Sequence, residues 1–320
     1  MQARYWHGLN KSTNPIGFGC WQIAGNHYID GTPHGWGTVS ENEAVNLLFN
    51  AINSGIDFFD TAQSYNNGKS EELLGTAIKQ TKKEIVVCTK IVLTEDEIKN
   101  KKLANDFFQR VETSLKRLNL NRIDILLIHN PPDDLEWKKF DYGKLNELQT
   151  QGKIGTFGVS SKSLNGAIKV VEANFGTVVE WVFNVFERRP TQELFPLIEK
   201  NKFNFIARSP LSRGLINPKY INQKVKFNSD DFRSTLQQDW IDWTISALKK
   251  FHQNGIAVDD LIKQSIAYCI QHKTLTSAII GIKTQKQLED VLKINNSIND
   301  NVFVEEKFLN GIEKCFPKWV

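Results

Sequence analysis

The chain has 320 residues, of which 40% are apolar and 24% charged, a balance that suits a soluble globular protein with a sizeable core. Its formal net charge is +4, with no basic cluster interleaved with exposed aromatics, which argues against a nucleic-acid partner. No apolar stretch reaches the ~18 residues that a membrane span needs, and the opening MQARYWHGLN lacks the apolar run of a signal peptide.

Along the chain, short apolar runs alternate with segments of helical period. The strand candidates are 15–21, 55–62, 84–90, 123–130, 153–160, 178–185, 203–210 and 276–282. Several are nearly continuous in apolar residues, as strands buried on both faces of a parallel sheet are. Helix candidates lie between them at 41–55, 70–80, 103–120, 141–151, 163–174, 191–201, 257–272 and 285–294. The first has a serine cap at Ser40 and a closing Gly55. Eight such pairs predict one (β/α)8 TIM barrel over residues 1–320. An open doubly wound sheet is the alternative, but its G-x-G-x-x-G fingerprint is missing. Gln22 stands where the third glycine belongs, so Gly17 and Gly19 are read as relieving packing inside a barrel strand.

Two long segments interrupt the repeat: 23–39 after strand one, and 212–256 after strand seven, the latter with a helix near 237–253. Loops of this length in a compact domain are usually functional. A C-terminal helix is expected over 303–314. Cys20, Cys88, Cys269 and Cys315 are scattered without a C-x-x-C pair, which predicts free thiols in a reducing, cytoplasmic compartment.

Asp60, Tyr65, Lys90 and His129 stand at or just past the ends of strands two, three and four. In a barrel those ends converge on one rim, where catalytic groups sit. An acid, a phenol, an ammonium and an imidazole gathered there can deliver a proton to a carbonyl oxygen. A free phenol ionises near pH ~10; an adjacent Lys90 is expected to lower that value, with Asp60 holding the lysine in place. His129 would hydrogen-bond the substrate oxygen. The hydride must come from a cofactor, because no side chain supplies one.

The stretch GIDFFDTAQSYNNGKSEELLG (55–75), with Lys90 in CTK and His129 in LLIHNPP, resembles the aldo-keto reductases. The resemblance runs from GFGCWQ to GIKTQKQLED. It implies a (β/α)8 barrel that binds NADPH/NADP+ without a Rossmann motif, a tyrosine proton donor, and a monomer by default. Carried over, Ser160 and Ser161 would hold the nicotinamide carboxamide together with Asn184, which stands for a commoner glutamine. Arg208 takes the place of a stacking aromatic. The segment Ser209, Leu211 and Arg213 would embrace the pyrophosphate. Gly281, Lys283, Thr284, Gln287 and Asp290 would grip the adenosine end, with Lys283 favouring NADP over NAD because a 2′-phosphate wants a cation.

The substrate is expected to be a small carbonyl compound or sugar, framed by Trp21, His27, Tyr28, His34 and Trp36, the segment near Trp137, and the second insertion with Phe227, Phe232, Trp240 and Trp243. For Trp240 and Trp243, core packing is the favoured role. A different reading makes the chain a cofactor-binding regulatory subunit with little turnover. A hydrolase reading would need metal ligands, for which His27 and His34 are the loop candidates, or a second carboxylate such as Glu187 opposite Asp60.

Overall fold

The computed structural model describes residues 2–298 and 304–317. Eight short runs rich in Val, Ile and Phe form the parallel strands of a closed barrel: β1 Ile16–Gly19, β2 Phe58–Asp60, β3 Val86–Ile91, β4 Ile123–His129, β5 Ile154–Ser160, β6 Val178–Val182, β7 Asn204–Arg208 and β8 Leu275–Gly281. β8 closes on β1, with Gly281 opposite Gly19. Nearly every strand residue is buried, as the continuous apolar runs required. Helices separate the strands in sequence, and the outer layer they form includes Glu41–Asn53, Lys69–Ile78, Phe107–Leu118, Leu164–Glu172, Leu261–Gln271 and Gln285–Ser297. Ser40 caps the first of these reciprocally with Glu43, and Gly55 follows it at φ +96°. The expected 191–201 helix is broken into Pro190–Glu193 and Phe195–Asn201.

Two departures stand out. The expected C-terminal helix is corrected: from Val304 the described chain holds a single 3-10 turn, Glu306–Leu309. Leu309, Ile312 and Phe316 are buried at helix-like spacing, but Gly311 takes φ +69° and breaks the run. The second departure is a hairpin of Arg4–Trp6 with Lys11–Thr13. Its Trp6 is fully buried against Phe58, Cys88, Ile125, Leu127, Val178, Ile206 and Ile279, and its indole donates to Thr13 Oγ1 at 2.8 Å.

Glycines let the strands approach. A Cβ on Gly17 would sit 2.5 Å from Phe58 Cδ1, whereas one on Gly19 would meet nothing nearer than 3.5 Å. The packing role therefore holds for Gly17 and not for Gly19. The tightest case is Gly158 in β5, where a Cβ would come within 1.8 Å of the Val178 carbonyl oxygen. Backbone cannot yield as a side chain can. Gly158→Ala is expected to destabilise the fold by about 3 kcal/mol or more, read as a lowered midpoint in urea unfolding.

Candidate active site

The barrel register sets the site. Asp60 pairs with Gly19 and Cys88, and Ser160 lies between His129 on β4 and Glu180 on β6. Tyr65 is placed by the loop after β2. Gln63 Nε2 donates to Arg110 O at 2.7 Å and Ser114 Oγ at 2.8 Å, and Asn66 Nδ2 donates to Ala24 O at 2.7 Å. Asn66, Asn67 and Gly68 all take positive φ, a turn that asparagine and glycine tolerate and that leads into the helix Lys69–Ile78.

The four sequence-predicted residues meet. Lys90 Nζ donates to Asp60 Oδ2 at 2.5 Å, to Thr61 O at 3.0 Å and to Tyr65 OH at 3.4 Å. The tyrosine ring stacks on Trp21 at 5.8 Å and meets His129 edge-on at 5.8 Å. His129 Nδ1 is 3.1 Å from Ser64 Oγ. A fifth group, missed in the sequence, joins them. Glu180 Oε2 lies 3.5 Å from Lys90 Nζ, and its Oε1 accepts from Ser160 Oγ at 2.9 Å. An acid inside the apolar run VVEWV was the signal that could have found it, because a charge buried in a strand needs a partner.

Burial disfavours the Lys90 ammonium, but Asp60 and Glu180 outweigh it and hold the lysine charged, well above its ordinary range. Asp60 is pushed up to about 7, by burial first and by Glu180 second, against the pull of Lys90. Burial and the nearby Lys90 and Arg208 charges keep His129 neutral, well below its usual value. The expectation for Tyr65 is corrected. Burial raises the phenol above its ordinary value and exceeds the lowering effect of Lys90, with Asp60 and Glu180 adding to the rise. The resting tyrosine is a protonated phenol.

These groups open into a cleft of about 1390 Å³ that runs from Tyr65, His129 and Ser160 past Arg208, Ser209, Leu211 and Arg213 to Gly281, Lys283, Gln287 and Asp290. That exceeds the ~300–1,000 Å³ of an ordinary small-ligand pocket and suits an elongated ligand lying beside a second, smaller one. Ser212, Arg213 and Gly214 take positive φ in succession, a local shape that can turn backbone N–H groups toward an anion. Lys283 Nζ reaches the Trp36 carbonyl at 2.5 Å. The two long insertions meet over the mouth: Phe232 N donates to Gly35 O at 2.8 Å, Arg233 covers the Trp36 ring at 4.7 Å, and Phe232 packs on Trp21 at 4.5 Å.

Other predicted residues fall elsewhere. Asn184 does not line the cleft; its side chain accepts from the Phe186 and Glu187 amides and donates to Ser209 O, because β6 ends at Val182. Ser161 is buried and donates to Ser163 O. Thr284 caps the helix Gln285–Ser297, and Asp290 lines the cleft while paired with Lys286 at 2.8 Å. Trp21, His34, Trp36 and Phe232 line the cleft, whereas His27 and Tyr28 do not. Tyr28 is half exposed in a two-residue hairpin. Trp137 packs against Phe140 and Phe175, away from the cleft. Trp240 is buried, as expected for core packing. Glu187 is forked onto Arg189, which removes it as a partner for Asp60.

Among the described residues, Asp60, Cys88 and Glu180 form a group close enough to hold a metal ion. The Lys90 ammonium already lies against both of its carboxylates. The thiols of Cys20, Cys88, Cys269 and Cys315 are all free, and among the described residues no helix is long and apolar enough to cross a membrane.

Comparison with known proteins agrees with this geometry. An uncharacterized oxidoreductase of Bacillus subtilis (strain 168), YqkF, is 26% identical over 310 residues, covering 93% of this chain and 92% of that protein. A probable voltage-gated potassium channel subunit beta of Arabidopsis thaliana is 26% identical, covering 89% of this chain and 88% of its own. The fold is shared with an aldo/keto reductase from Klebsiella pneumoniae, solved in complex with NADP and acetate, at a TM-score of 0.66 and 19% identity over 98% of this chain and 94% of that one. Residues 15–306 match the sequence model of the Aldo/keto reductase family, and the chain belongs to that family.

Proposed function

We propose that this chain reduces the carbonyl of an aldehyde, ketone or sugar to an alcohol, using NADPH and the Tyr65 proton. The observation that carries the reading is the complete set of Asp60, Lys90, Tyr65 and His129 at the head of a long cleft. When bound, NADPH supplies the hydride that no side chain can. The cofactor reading is supported by the length of the cleft, by the run of positive φ at 212–214, and by the NADP complex of the Klebsiella pneumoniae relative.

Each side chain has a task in this reading. In the tautomer in which neutral His129 accepts at Nδ1 from Ser64, the ring proton is on Nε2 and can be donated to the substrate oxygen. That contact polarises the carbonyl and fixes its approach to Tyr65. The phenol gives its proton to the oxygen as the carbon is reduced, and the resulting phenolate is stabilised by Lys90 beside it. Trp21, Trp36 and Phe232 form an aromatic wall that suits a sugar face or an apolar carbonyl.

Lys283 would meet the 2′-phosphate. One ammonium has three protons, so it can keep the Trp36 carbonyl and still donate to an anion. Lys283→Ala is expected to weaken NADPH by about tenfold relative to NADH, the scale of one charge-assisted hydrogen bond. Equal loss for both cofactors in a binding titration would remove Lys283 from this role. The regulatory-subunit reading draws on the potassium-channel relative, but it ranks lower because none of the four catalytic groups is missing. Purified protein, NADPH and a panel of aldoses, keto sugars, aryl aldehydes and small ketones test the proposal. Cofactor consumption with at least one class supports it, and tight NADPH binding without consumption contradicts it.

A further inference from the structure

The buried end of the cleft holds one ammonium and two carboxylates. Asp60 and Glu180 are each 1% exposed and Lys90 is fully buried. The three ammonium protons are taken by Asp60 Oδ2, Thr61 O and Tyr65 OH. Among the described residues Glu180 Oε2, 3.5 Å from the same nitrogen, receives no hydrogen bond, whereas Asp60 also has the Cys88 thiol beside it. Of the neighbouring groups only the Arg208 guanidinium carries a further positive charge that acts on Glu180, Tyr65 and Asp60, and it does so at longer range than Lys90. From the turn after β1 and from β3, the Cys20 and Cys88 thiols are kept neutral by burial. His129 on β4 is neutral. On β7, Arg208 is bound to the Ser161 carbonyl at 3.1 Å; among the described residues it makes no ion pair.

An anion beside Lys90 draws on the field that would otherwise stabilise a phenolate at Tyr65. We propose that Glu180 competes with Tyr65 for the Lys90 charge that both adjoin and so holds the proton on the tyrosine, extending to alkaline pH the range in which the site can donate it. This rests on the role of Tyr65 as proton donor. Glu180 is a positioning residue here: it acts on the donor through Lys90, at a point where a neutral amide of the same shape would leave the lysine charge to the phenol. The rise of the phenol above its ordinary value, to which Glu180 contributes after burial and Asp60, agrees in direction.

The test compares the parent with Glu180→Gln and with Glu180→Met, which fills a similar space without charge or amide. Tyrosine ring carbons are isotope-labelled, the Tyr65 resonance is assigned by its loss in Tyr65→Phe, and its ionisation is followed by NMR in the NADP-bound protein. In both variants the phenol is expected to ionise about one pH unit lower, the scale of removing a neighbouring like charge. The alkaline limb of the carbonyl-reduction profile should move with it. If the parent phenol survives to the alkaline unfolding limit, ionisation below that limit in a variant is the supporting result. An unchanged Tyr65 titration in both variants overturns the proposal, even if NADP affinity falls, and leaves Glu180 as an anchor for Ser160. The titration needs no turnover, so a parent that binds NADP but reduces nothing would defeat the enzymatic reading, while the Tyr65 titration would still decide by itself whether Glu180 holds the proton on the phenol.

Discussion

Tyr65→Phe is expected to lower carbonyl reduction by about 10²- to 10⁴-fold, the usual contribution of a positioned general acid, while NADPH affinity stays within about threefold of the parent. The split follows from what the hydroxyl touches. It contacts Lys90 at 3.4 Å, and the ring keeps its stacking on Trp21 and its edge against His129 without it. The cleft's shape is therefore retained and the proton alone is lost. Rapid-mixing measurement of single-turnover NADPH oxidation, paired with fluorescence titration of the cofactor, separates the two effects. A mutant that reduces carbonyls at the parental rate would remove Tyr65 from the chemistry.

The second large effect concerns stability. Lys90→Met fills a similar volume but leaves Asp60 and Glu180 buried without their cation. Breaking a buried ion pair from one side typically costs about 3–5 kcal/mol, because the remaining charge is uncompensated. The pH dependence has a definite sign. Asp60 binds its proton more tightly in the folded protein, with a value raised to about 7, than in the unfolded chain at about 3.9. Its folded state thus gains from protonation below about pH 4 and loses that gain as pH rises toward 7. Without Lys90 the acid is harder still to ionise, so the loss in the variant is greatest at pH 8 and shrinks at pH 5. Urea unfolding at the two pH values measures this, and an equal deficit at both would show that the carboxylates are not what the lysine stabilises.

Much of this architecture was legible because barrel strands are buried on both faces and leave continuous apolar runs. Those runs located Asp60, Lys90 and His129 at strand ends, and the register then brings them to one rim. Glu180 was missed for a related reason. The run 178–185 reads as one strand, but β6 stops at Val182, so the polar residue facing the cleft is the one inside the run rather than Asn184 near its end. The direction of the Tyr65 shift was also beyond the sequence, since it depends on how burial weighs against a single nearby charge. His27 and Tyr28 illustrate a third limit. The composition of the first insertion announced a functional loop, yet which aromatics turn inward is decided by pairing with the second insertion through Trp36 and Asp231, a contact across 195 positions that local pattern does not encode.

Transfer of label from NADPH deuterated at the nicotinamide carbon that carries the hydride tests the central claim most directly. The protein is incubated with the labelled cofactor and the aldehyde and sugar panel, and the products are examined by mass spectrometry. The account predicts deuterium on the new carbinol carbon with the parent and at least a hundredfold less with Tyr65→Phe. Bound NADPH that keeps its label in the presence of every carbonyl class would contradict it.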